Sequence, residues 1–266
     1  MTRTIVIITG ANNGIGFHLT QTLLEDGYCA AALDLSTENL NALQATHPDT
    51  LLAVQCDVTD DIQVKAAADT VLSRWGQIDI LVNNACLAIF KPFEQKTVEE
   101  TRQEFEVNYF GYLRMINAVL PHMKARGSGL IHNVSSGVGI TGFPGLCGYT
   151  STKGPIESLT RTLALEFARY GIHINLMHPP LTRTKSASPL GIPVEVMDDP
   201  SRVGRNLAKQ IQSTRPVITS DFRTALYVFL AYRYPEAIGG LFAKLTEDAR
   251  KKQADEPVRA GTHTPV

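Results

Sequence analysis

Tyr149 and Lys153 stand four residues apart in Y-T-S-T-K, and on a helix that spacing puts both side chains on one face. The pair has a chemical use. A phenol titrates near 10 in water, and a fixed ammonium beside it favours the phenolate and lowers that value. A sufficient drop makes tyrosine a usable acid or base near neutral pH. Ser136, on a loop entering the same region through N-V-S-S-G, can hold a substrate oxygen. A Y-x-x-x-K pattern arises by chance in roughly one such chain in three or four, so its weight rests on what surrounds it.

The surroundings alternate strand and helix. Residues 130–134 read as a buried strand leading to the serines. From Tyr149 a helix carries Ile156, Leu159 and Leu163 at helical spacing, with Pro155 expected to bend it, and closes at Gly171. Near the start, I-V-I-I-T is a continuous apolar run of the kind found in a parallel strand covered on both faces. T-G-A-N-N-G-I-G follows, with Gly10, Gly14 and Gly16 opening a helix that stops at Gly27. Glycines between a buried strand and a helix N-terminus let the backbone approach a phosphate, which free N–H groups and the helix dipole then hold. An ordinary tight turn is the plainer alternative. A second strand over 29–33 ends in Asp34, about twenty residues beyond the last glycine. A carboxylate there can accept both ribose hydroxyls of an adenosine and repel a 2′-phosphate, and no arginine or lysine follows to reverse that.

Strands over 51–55 and 78–82 lead into Cys56-Asp57-Val58 and Asn83-Asn84-Ala85. A helix over 100–124 carries Asn108 among Phe105, Val107, Phe110 and Met115, and Pro121 should bend it near its end. An unpaired amide there costs about 1–3 kcal/mol, so Asn108 needs a partner, and packing is as good a reading as function. After a strand over 172–177 comes H-P-P-L-T-R-T. His132 and His178 sit in or beside strands without metal-ligand spacing, so they read as structural and no metal is expected. The alternation makes an α/β fold, a doubly wound parallel β-sheet with helices on both faces, and every motif falls at the carboxyl end of a strand.

Residues 185–199 are rich in serine, proline and glycine and precede a helix over 200–212, which together read as a mobile lid over about 185–213. A short apolar stretch at 216–218 and helices over 221–232 and 237–251 follow. A polar tail over 251–266 is expected to be disordered, leaving one domain over 1–250. The net charge of −1 gives no electrostatic case for nucleic acid or an anionic membrane. Cys29, Cys56, Cys86 and Cys147 lack C-x-x-C spacing and read as reduced thiols of a cytoplasmic protein. With apolar strand residues from Ile5, no signal peptide is expected, and the run over 225–232 is too short to span a bilayer.

Taken in order and spacing, T-G-A-N-N-G-I-G, Asp34, Asp57, N-N-A at Asn83, Asn108, N-V-S-S at Ser136, Y-T-S-T-K and the P-x-x-x-x-T ending at Thr184 resemble the short-chain dehydrogenase/reductase family over nearly all the chain to Thr184. The resemblance implies a Rossmann-type fold, a homo-oligomer (dimer or tetramer), and interconversion of a secondary alcohol and a ketone by hydride transfer to or from NAD(H), with NADP less favoured. It makes Tyr149 the general acid/base and Ser136 the residue that orients the substrate oxygen. Lys153 would hold the nicotinamide ribose and depress the pKa of Tyr149, and Asn108 would anchor a water linking Lys153 to solvent. The cofactor site would comprise Gly10, Asn12, Asn13, Gly14, Ile15, Gly16, Asp34, Leu35, Asp57, Val58, Asn83, Ala85, Leu181 and Thr184, besides Tyr149 and Lys153. Asp57 would meet the adenine and Thr184 the nicotinamide side.

Three departures stand out. Cys86 replaces the glycine usual after N-N-A, Pro180 replaces the glycine of the usual Pro-Gly pair, and the region after Thr184 lacks the common terminal strand with its Gly-Gly ending. Two other readings are a catalytically idle dinucleotide-sensing or scaffold protein, and an epimerase or dehydratase using transient oxidation. The full Asn108–Ser136–Tyr149–Lys153 set argues against the first; chain length and glycine spacing argue against the second. Val138, Ile140, Phe143, Leu146 and Cys147 before Tyr149, with Leu87, Ile89 and Phe90 after N-N-A, point to a partly apolar substrate bulkier than a short-chain alcohol. The lid adds Leu190, Ile192, Val194 and Val196.

Overall fold

The β-branched run Ile5–Thr9 (β1) sends Ile5 and Ile7 into one hydrophobic layer and Val6 and Ile8 into the other, as period-two side chains of a doubly covered strand must. The computed structural model describes residues 3–190 and 194–255. In it β1 is followed by Gly14–Glu25 (α1), Cys29–Asp34 (β2), Glu38–Thr46 (α2), Leu51–Gln55 (β3), Asp61–Trp75 (α3) and Ile80–Asn83 (β4). Then come Val98–Phe105 (α4), Gly111–Arg126 (α5), Gly129–Val134 (β5), Val138–Thr141 (α6), Cys147–Phe167 (α7) and Ile172–His178 (β6). Pro200–Ala208 (α8), Val217–Thr219 (β7), Phe222–Arg233 (α9) and Pro235–Asp255 (α10) follow.

The sheet is parallel throughout in the order β3-β2-β1-β4-β5-β6-β7. Residues of α3 and α5 fill the layer that holds Ile5 and Ile7, with part of α7 packed against it, whereas α1, α2 and α8 fill the layer that holds Val6 and Ile8. The chain order reverses between β1 and β4, which opens a crevice at their carboxyl ends. The expected doubly wound architecture is therefore what forms.

Three expectations need correction. Residues 100–124 are not one α-helix, because α4 and α5 are joined through a π-helical turn, Glu106–Phe110, with Asn108 at its centre. Such turns widen the backbone ladder and often occur at functional sites. A terminal strand does exist: β7 pairs in parallel with β6, its three residues too few to stand out in the sequence. The helix expected to end at 251 runs on to Asp255, so the first part of the expected tail is helical; residues 256–266 lie outside the described residues. Both helix-internal prolines, Pro121 and Pro155, are accommodated without ending their helices. Ser151, whose carbonyl loses its partner to Pro155, is exposed and can turn to water.

Candidate active site

The glycine turn after β1 is built by necessity from glycine. Gly10 has φ +65° and Gly14 φ +55°, a region that side chains other than glycine rarely adopt. A Cβ on Gly10 would lie 2.7 Å from Ala85 Cα, and one on Gly16 would lie 2.3 Å from the Gly10 carbonyl. α1 begins with no acidic residue in its first turn and no side-chain cap from Asn13, which leaves its positive end for an outside anion. Asn84 donates through Nδ2 to the carbonyls of Thr9 (2.9 Å) and Gly10 (3.0 Å). The Thr9 hydroxyl accepts the backbone N–H of Asn84 and of Ala85, both at 3.0 Å. The end of β4 is thus locked to the glycine turn. On the other flank, a Cβ on Gly14 would meet Thr184 Cγ2 at 3.0 Å. The cradle fits a dinucleotide pyrophosphate, with Ile15 half-buried in the first turn of α1.

Other expected cofactor residues divide. Asp34 accepts the Asn12 N–H at 2.9 Å and has no ion-pair partner among the described residues, so its charge stays available at the crevice edge beside exposed Leu35. Asp57 uses Oδ1 on the Thr59 N–H (2.9 Å) and hydroxyl (2.8 Å), leaving Oδ2 spare. Val58 is buried against Gly111. Asn12 is buried, its Oδ1 accepting the N–H of Asn39 (2.9 Å) and Leu40 (3.2 Å), so its side chain clasps α2 rather than facing the crevice. Exposed Asn13 accepts from Asn39 Nδ2 at 3.3 Å. Asn83 is also fully buried and donates to Asn133 Oδ1 at 2.9 Å, so only its backbone can line the crevice.

The serine, tyrosine and lysine converge where β5 ends and α7 begins. Ser136 and half-buried Tyr149 are hydrogen-bonded through their hydroxyls, and the Cys86 thiol also meets the Tyr149 hydroxyl. Cys86 is exposed, yet enough protein surrounds it that desolvation, only partly offset by Lys153, raises its thiol above the usual value. Lys153 is buried at 1% exposure, its Nζ donating to the Val134 carbonyl at 2.8 Å and the Tyr112 hydroxyl at 3.2 Å. Burial lowers the Lys153 pKa, and Cys86 and Glu157 push back.

One site expectation changes here. Burial holds the Tyr149 phenol well above its ordinary value, with Ser136 pulling the other way, so the expected depression by Lys153 is not what the protein's own groups produce. Nζ is 5.7 Å from the Tyr149 ring centroid and spends its hydrogen bonds on Val134 and Tyr112. Asn108 is fully buried, its Oδ1 accepting the Leu87 N–H (2.7 Å) and its Nδ2 donating to the Leu87 carbonyl (2.8 Å) and Thr152 hydroxyl (3.0 Å). The amide is a clamp between the segment after β4 and the catalytic helix.

The sequence matches the short chain dehydrogenase family over residues 4–192. The chain belongs to this family. It is a nicotinamide-dinucleotide-dependent oxidoreductase. Among curated relatives, 2-(R)-hydroxypropyl-CoM dehydrogenase of Xanthobacter autotrophicus is 36% identical over 187 residues, 68% of this chain and 75% of that protein. Human 17-beta-hydroxysteroid dehydrogenase type 1 is 36% identical over 209 residues, 74% of this chain and 63% of that protein. A solved short-chain dehydrogenase from Streptomyces avermitilis superposes with a TM-score of 0.78 at 28% identity, covering 97% of this chain and 100% of that one. A 3-ketoacyl-(acyl-carrier-protein) reductase from Brucella melitensis, solved with NADH, gives 0.74 at 26% identity over 81% of this chain and 96% of that one.

In this short-chain dehydrogenase the segment beyond Thr184 is tied at its base. The Arg183 N–H donates to the Asp198 carbonyl (2.9 Å) and the Asp198 N–H to the Leu181 carbonyl (2.8 Å). Leu181 and Val196 are exposed; Ile192 lies outside the described residues. Among the expected wall residues Val138, Ile140, Phe143, Cys147, Leu87, Ile89 and Phe90 are half-buried, whereas Leu146 is buried and packs rather than lines. The wall after β4 is pinned by a buried ion pair, Lys96–Glu104 at 2.7 Å, in which Lys96 also donates to the Ile89 carbonyl (2.8 Å) and Glu104 accepts the Ile89 N–H (2.8 Å).

Sequence reasoning missed this pair, along with Asn84, Tyr112, Thr152 and Glu157. Spacing held part of the signal, since Tyr112 is four residues past Asn108 and Glu157 four past Lys153. Glu157 is met by Ser135, Tyr232, Arg161 (2.9 Å) and His178 Nε2 (3.0 Å). Among the described residues no group of three or more His, Cys, Asp or Glu could hold a metal, and no helix is long and apolar enough to cross a membrane.

Proposed function

We propose that this protein interconverts a secondary alcohol and a ketone, with NAD(H) preferred and Tyr149 as the proton donor and acceptor. The observation that carries the reading is the Tyr149 hydroxyl, half-buried and bonded to Ser136, with the Lys153 ammonium fixed behind it. The cofactor, when bound, takes up or gives the hydride at the carbinol carbon. Ser136 holds the substrate oxygen, and Tyr149 gives it a proton in reduction or takes one in oxidation. Burial raises the phenol above its ordinary value, so Tyr149 holds its proton at neutral pH and has one to give to a ketone oxygen.

The N–H groups of Gly14, Ile15 and Gly16 would hold the pyrophosphate, Asp34 the adenosine ribose, Asp57 the adenine, and Thr184 and Leu181 the nicotinamide side. A 2′-phosphate beside the Asp34 carboxylate would meet like charge, and among the described residues no cation is ion-paired with Asp34. Half-buried Phe143, Ile140 and Leu87 favour a partly apolar substrate, because a charged one would be desolvated without a partner. Residues 185–213 would act as the lid of one domain spanning 1–250, and the molecule would assemble as a dimer or tetramer in the cytoplasm.

The test is a panel of apolar and polar ketones and alcohols followed by NADH and NADPH absorbance, run beside Asp34→Ala. The reading expects turnover of apolar ketones with NADH. It also expects a kcat/KM preference for NADH that shrinks by about tenfold in Asp34→Ala, the scale of one lost charge-assisted bond. Binding of NADH without turnover of any panel member favours the idle-sensor reading, and equal use of both cofactors rejects the role of Asp34.

A further inference from the structure

We infer that Tyr112 is a second functional tyrosine, a positioning residue whose hydroxyl, together with the Val134 carbonyl, fixes the Lys153 ammonium beneath Tyr149. The inference rests on the proposed role of Lys153 and deepens it. Tyr112 lies on α5, just past the π turn, and is 1% exposed. Its hydroxyl donates to the Val134 carbonyl at 3.1 Å and accepts from Lys153 Nζ at 3.2 Å. Nζ itself donates to the same carbonyl at 2.8 Å, closing a three-membered ring of hydrogen bonds at the end of β5. The Tyr112 ring also lies under the ammonium, 5.1 Å from centroid to Nζ.

A flexible four-carbon side chain gains a fixed position only when its donors are met by fixed acceptors. Here two of the three N–H groups are so met, one by main chain and one by a buried phenol. A buried ammonium with fewer acceptors is less stable in its charged form. Tyr112 therefore helps keep Lys153 charged as well as placed. The other titratable groups around Lys153 are Cys86 from the segment after β4, and Tyr149 and Glu157 from α7 itself. Cys86 and Tyr149 also act electrostatically on Tyr112, so the four side chains form one cluster. Neighbouring tyrosines do not substitute for it: Tyr109 belongs to the packing around Phe105 and Phe110.

The experiment compares kcat, KM and their pH dependence in the wild type, Tyr112→Phe and Lys153→Met, with urea unfolding of these three and of the double variant. Tyr112→Phe removes one oxygen and keeps the ring. Its expected phenotype is a kcat lowered about tenfold with KM little changed, and an alkaline limb of kcat moved about one unit toward lower pH, as the less supported ammonium loses its proton earlier. The urea midpoint should shift less than half as much in the Lys153→Met background as in the wild type, and this readout does not depend on turnover. A wild-type pH profile in Tyr112→Phe, or equal midpoint shifts in the two backgrounds, overturns the role of Tyr112. If Lys153→Met is fully active, the role of Lys153 falls and that of Tyr112 with it. An inactive Lys153→Met beside an unaltered Tyr112→Phe removes the Tyr112 inference alone.

Discussion

The crevice is built by two regions that work differently. From β1 to β4 it is made of backbone: glycines that admit no Cβ, free N–H groups of α1, and asparagine side chains spent on holding loops together. From the segment after β4 to α7 it is made of buried polar side chains: Lys153, Asn108, Tyr112, Glu157 and, behind the wall, Lys96 with Glu104. The first region offers a surface to an anion. The second holds charges that water would otherwise neutralise, which is the condition for shifting a phenol or an ammonium away from its ordinary behaviour. Changes in the first should therefore show in dinucleotide binding, and changes in the second in turnover, pH dependence and stability.

The largest expected effect is on turnover. Tyr149→Phe removes the proton-transfer group and keeps the ring, so kcat should fall by about 10²–10⁴ while the Kd for NADH, read by fluorescence titration, stays within about twofold. A variant retaining a tenth of wild-type kcat or more would take the chemistry off this phenol. Next is stability in the same region. Glu104→Gln leaves Lys96 charged and buried without its partner, a loss of about 3–5 kcal/mol, measurable as a lower urea midpoint. Replacing both residues with apolar ones of similar size should recover most of it.

Gly10→Ala acts on the backbone region. It forces a side chain onto φ +65° and within 2.7 Å of Ala85 Cα, with a conformational cost alone of about 1–2 kcal/mol. NADH affinity should drop at least tenfold while the pH profile of kcat at saturating cofactor is unchanged; a moved profile would mean the two regions are not separable. The smallest effect concerns Glu157. Burial alone would raise its pKa, but His178, Ser135 and Tyr232 outweigh burial and hold it below its ordinary 4.5. A carboxyl depressed in the folded state contributes stability above its unfolded value, and that contribution is lost as pH falls through the folded one. Thermal melts between pH 3 and 6, about the range over which a carboxylate titrates, should flatten in Glu157→Gln. Parallel wild-type and variant curves would show that the network carries no proton linkage.

The difference between the regions also explains what could be read in advance. A bare glycine turn advertises itself, since nothing else tolerates a positive φ and a 2.3 Å approach to a carbonyl, and the continuous apolar strands fix the parallel sheet. The local sequence thus determined the sheet class, the glycine cradle, Asp34 at the end of β2, and the shared helical face of Tyr149 and Lys153. Tertiary structure decided the rest. Whether Asn12 and Asn83 face a ligand or a neighbouring loop depends on partners 27 and 50 residues away. The π turn at Asn108 arises where the Asn108 amide reaches Leu87 and Thr152, 21 and 44 residues distant. The direction of the Tyr149 pKa follows from how much protein closes over the phenol, and a four-residue spacing to a lysine cannot report that. Desolvation is a sum over everything that folds around a group, so only the folded chain contains it.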